Sequence, residues 1–178
     1  TAVNVKSGTD VLVVRRQSTE SIASGAAVSG QAYIQVGSLP GDGDRQITFR
    51  LASGSSASFN LQMKQQGLAT YATTGINRML VHVYFIAPCS RPANGSTCAA
   101  SGEDGIPTLK RLELGPSGFQ TVTIAEGIED MNIEYGVDAD RDGSSDGNFL
   151  EIPATATAWW NVTAVRVNLL ARNNEITP

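Results

Sequence analysis

The run from Asp138 to Gly147 constrains the fold of this chain more than any other stretch. It sets aspartates at 138, 140, 142 and 146, with Gly143 among them and Gly147 just after. Residues of this kind extend neither a strand nor a helix; they compete for local backbone groups and favour turns. On one side, Ala125–Asp130 reads as a turn or single helical turn feeding a half-buried strand over Met131–Val137. On the other, Phe149–Ile152 reads as a short returning strand. The aspartates therefore sit at a hairpin tip, and a hairpin needs antiparallel neighbours to bury its apolar face.

Those neighbours are legible along the chain. Asp10–Arg16 is a β-prone run, Tyr33–Val36 a brief strand, and Ile47–Leu51 alternates apolar with polar. Met79–Ile86 is apolar on both alternations and reads as a central strand covered on both faces. Thr108–Leu114 and Phe119–Ile124 form a hairpin through Gly115–Gly118. The last strand, Asn161–Leu170, alternates Val165, Val167 and Leu169 against Arg166 and Asn168. Ser18–Gly30 is expected to be a loop with one helical turn near Glu20. Phe59–Thr74 is ambiguous: Leu61, Lys64, Gln65 and Leu68 suit a helix, whereas Gly67 and the Thr/Ala run weaken it. The expected fold is α+β, mostly β, as one globular domain over residues 1–178 with antiparallel sheets.

Composition narrows the setting. With 41% apolar residues the chain can build a core, and its net charge of −4 argues against nucleic acid as a partner. No apolar run approaches the roughly 20 residues that span a bilayer. The sequence opens at Thr1 without an initiator Met, as expected of a mature or truncated product whose targeting segment lies outside it. Cys89 and Cys98 are the two cysteines of the chain, with Pro88 just before the first.

 

Between them lie the eight residues Ser90–Thr97, all turn formers or polar apart from Ala93. The chain can fold back there and join the pair, and a disulfide is the leading reading, worth about 2–3 kcal/mol by loop-closure entropy. Zinc needs about four ligands, which a lone His82 cannot complete. A disulfide places the domain in the periplasm or outside the cell.

The aspartate loop admits two readings. Numbered from Asp138, side-chain oxygens fall at positions one, three, five and nine (Asp138, Asp140, Asp142, Asp146), with Gly143 at six and Ser144 at seven to offer its carbonyl. That is the front of an EF-hand-type Ca²⁺ loop, but Phe149 stands at twelve in place of a bidentate glutamate, and the flanks are strands. A Ca²⁺ loop in a hairpin, completed by water, a carbonyl or Glu151, and a plain acidic turn both stay open.

Other constellations carry little chemistry. Gly54–Ser58 has serine where a nucleophile elbow needs its second glycine. Glu126, Glu129 and Glu134 read as solvated acids, and His82 as a structural residue on a strand. Trp159 and Trp160, read as strand neighbours, would face opposite sides, one in the core and one at the surface or a subunit contact. Asn94–Ser96 and Asn161–Thr163 fit glycosylation sequons. Nothing here assembles a catalytic set.

Four segments together resemble a known family: Gly8–Arg15, Leu109–Leu114, Ala125–Asp138 with its aspartate loop, and Trp160–Arg172. Their series is similar to the periplasmic part of PilW, a minor pilin of type IV pili, with most of the likeness between Leu109 and Arg172. The type II secretion pseudopilin GspJ shares a similar layout and is the alternative. The resemblance implies a non-enzymatic subunit whose full-length form is anchored in the inner membrane by an N-terminal helix missing here. It implies a place in the periplasm or at the pilus tip, with PilX-, PilV- and FimU-like minor pilins, the major pilin and a tip adhesin as partners. A calcium-dependent surface adhesin or carbohydrate-binding module is the competing class.

Overall fold

The computed structural model describes residues 4–41, 46–54, 58–93, 97–98 and 103–173. The serine stretch 55–57 and the sequon at 94–96 lie outside them. The protein is mostly β. Its strands are β1 (Leu12–Ile22), β2 (Ala32–Gly37), β3 (Thr48–Ser53), β4 (Gln62–Lys64), β5 (Tyr71–Thr73), β6 (Ile76–Ala87), β7 (Thr108–Gly115), β8 (Gly118–Glu126), β9 (Ile128–Val137), β10 (Phe149–Leu150) and β11 (Val162–Ala171). One short helix, α1 (Ala156–Trp160), precedes β11, and a 3₁₀ turn spans Ser24–Ala26.

One sheet has the order β3-β2-β6-β7-β8, with β1 also paired to β6; a second has the order β10-β9-β11, and β4 pairs with β5. The chain divides into two compact units: Thr1–Leu12, Tyr84–Arg111 and Thr123–Pro178 form one, Val13–Val83 and Leu112–Val122 the other. The first buries Ile86, Leu109, Met131 and Ile133, with Leu12, Tyr84, Ile128 and Tyr135 packed around them. The second buries Tyr33, Phe59 and Ile76 against Ile22, Ala27 and Ala52.

Two sequence expectations need correction, and one ambiguous stretch is resolved. Ser18–Ile22 is strand rather than loop. Asn77 Nδ2 donates to the carbonyls of Ser18 (3.0 Å) and Glu20 (3.2 Å), and Arg78 N–H donates to Ser18 Oγ. Polar side chains thus join a sheet that their composition alone argues against. The expected helical turn falls later, at Ser24–Ala26. Phe59–Thr74 holds the hairpin β4–β5, with Gly67 at φ 76° in its turn. Finally, β9 begins at Ile128, three residues before its expected start, because Leu170 and Ala171 of β11 pair with Asp130 and Ile128. The turn shrinks to Gly127, whose φ of 77° suits a residue without Cβ.

Candidate functional site

The site is built on β9 and β11, which pair antiparallel from Val162↔Val137 to Ala171↔Ile128. Gly136 shows why the loop after β9 takes its shape. A Cβ there would lie 2.5 Å from Ser145 Oγ and 3.1 Å from Ala164 Cβ, so the loop folds back over a position that only glycine leaves free.

Asp138 closes that loop with its own side chain. Its Oδ1 accepts from the N–H groups of Arg141 (2.6 Å) and Asp142 (3.2 Å), and its Oδ2 from Gly143 (2.9 Å). Desolvation pushes the Asp138 carboxyl up, but the N–H donors of Gly143, Arg141 and Asp142, with the Asp140 side chain, together hold it below the ordinary aspartate value. Asp146 Oδ2 accepts from Ala139 N–H at 2.7 Å, and Asp142 Oδ1 from Ser144 N–H at 2.7 Å. Carboxylate oxygens of Asp138, Asp140 and Asp146 lie within 4.8 Å of one another. Asp142 and Ser144 do not join that group; the Asp142 carboxylate is turned onto the Ser144 backbone.

The Cys89–Cys98 disulfide is formed. Beside it Asp104 accepts from the N–H groups of Ser90, Arg91 and Ile106, and the buried Lys110 ammonium donates to the Ser90 carbonyl at 3.0 Å. Burial lowers the Lys110 pKa, partly offset by the charge of Asp104.

The glutamates read as solvated are engaged. Glu129 bridges Lys6 (2.9 Å) and Arg172 (2.7 Å), which fastens the start of β9 to the end of β11. The Lys6 hydrogen bond, with Arg172 helping, lowers the Glu129 pKa against desolvation. Glu134 pairs with Arg166 at 3.3 Å and accepts from Asn168, while Ser90 Oγ donates to Glu126. The sequence signal for these pairs was the alternation of Arg166 and Asn168 on the polar face of β11, directly across from β9.

The tryptophans also depart from expectation. Thr155 Oγ1 accepts from Ala158 N–H and caps α1, so Trp159 and Trp160 sit on a helical turn rather than a strand. Neither is buried. The Trp159 ring meets Tyr135 edge-on at 4.7 Å, and Trp160 is 88% exposed.

The family model of the type IV pilus-assembly protein W, PilW, matches residues 94–178. Residues 94–178, just under half of the chain, are thus similar to the PilW family. The PilW match takes in the Glu129–Arg172 fastening, the loop-closing aspartate and the β9–β11 pair. Neither the curated proteins nor the solved structures give a significant match. Among the described residues, no helix is long and apolar enough to cross a membrane.

Proposed function

We propose that the protein is a non-enzymatic minor pilin that joins other minor pilins in a tip or priming complex for type IV pilus assembly. The PilW match over residues 94–178 carries this reading. The edge strand β11 supports it: its only partner among the described strands is β9, and Val165, Val167, Leu169 and Leu170 are all exposed. An apolar edge with a free row of backbone groups invites a strand from a neighbouring subunit. The partners in this reading are PilX-, PilV- and FimU-like subunits, with the major pilin and a tip adhesin. The domain works in the periplasm and at the pilus tip, and the full-length form is held in the inner membrane by an N-terminal helix. Co-purification with a PilX-, PilV- or FimU-like domain tests the proposal; strictly monomeric behaviour in every such mixture overturns it.

In the same reading the aspartate loop is a brace for this surface, and Ca²⁺ is the ion suited to Asp138, Asp140 and Asp146. Their convergence within 4.8 Å favours it. Calorimetric titration with Ca²⁺ should give heat that an Asp140→Ala/Asp146→Ala variant lacks, and an absence of heat from the parent protein sinks the idea.

A further inference from the structure

Trp160 is the most exposed large apolar side chain among the described residues, and the backbone beside it is held by hydrogen bonds. Asn161 N–H donates to the carbonyls of Thr157 and Ala158, and Asn161 O accepts from Asp138 N–H at 2.8 Å. The aspartate loop and α1 are thereby tied together. Arg141, from that loop, lines the same open concavity of ≈ 590 Å³ as Trp160, Thr157 and Asn161. That size lies within the range of small-molecule sites, about 300–1,000 Å³.

Arg141 is unusual in two respects. Its φ of 64° is left-handed, a conformation that residues with a Cβ rarely adopt. Its guanidinium forms no ion pair among the described residues, although it belongs to a loop with four aspartates. A free fork of N–H donors thus shares a hollow with an uncovered indole face.

We propose that this hollow binds a neutral pyranose ring of a glycan. A pyranose has an apolar C–H face, which suits the Trp160 indole, and a rim of hydroxyls, which suits the five donors of Arg141 and the polar groups of Thr157 and Asn161. Neutrality follows from the surroundings: the loop is net negative and repels an acidic sugar. Sugar binding in this hollow does not depend on a role in pilus assembly.

The test is NMR of the indole Nε1–H signals, which report Trp159 and Trp160 separately, titrated with glucose, galactose, mannose, N-acetylglucosamine and glucuronate. The Trp160 signal should move with at least one neutral sugar. Trp160→Ala should abolish binding, and Arg141→Gly should weaken it by about tenfold or more. Glycine suits the left-handed backbone at 141, so that loss would not reflect misfolding. No response to any neutral sugar at about 100 mM, a response to glucuronate alone, or unchanged binding in both variants would each overturn the proposal.

Discussion

At the scale of single residues, Asp138 and Gly136 do the same job from opposite sides of the loop. Asp138 gathers three backbone N–H groups that would otherwise need water. Asp138→Ala should lower the thermal midpoint, read by circular dichroism, whereas Asp142→Ala, which frees only Ser144 N–H, should change it far less. Gly136→Ala forces its methyl group onto Ser145 Oγ and Ala164 Cβ. Overpacking of this kind costs about 1–3 kcal/mol, measurable by urea unfolding. The spacing of the aspartates was plain in the sequence. Which of them turns inward was not, because the choice rests on backbone angles such as the left-handed Arg141.

At the scale of elements, β11 was legible because its alternation is regular and its partner lies close by in sequence. The pair β4–β5 was not. Leu61, Lys64, Gln65 and Leu68 fit a helical period, and a distant residue settles the matter: Gln35 Oε1 accepts from Leu61 N–H while its Nε2 donates to Thr74 O. The tryptophan turn was misread for a nearer reason, since Thr155 supplies a cap that the strand reading passed over. For β11 we predict that Val167→Lys leaves stability within about 0.5 kcal/mol of the parent yet reduces co-purification with partner subunits. A charge on an edge blocks strand addition without disturbing the core.

At the scale of the whole molecule, acid should weaken the fold. Asp104, Glu129 and Asp138 all have lowered pKa values. Each therefore contributes stability that is present above the ordinary carboxylate range and lost as pH falls through the lowered native value. Thermal midpoints should be flat near neutrality and decline below about pH 4. β1, β6, β7 and β8 each supply residues to both compact units, so calorimetry should show one unfolding transition. Two resolved transitions would contradict this. The fully buried Gln35 has a further consequence for time rather than for energy. Its amide clasps Leu61, so that backbone proton should trade with deuterium only when the sheet around β2 opens. A small hairpin that looks peripheral would then keep the same slow clock as the core.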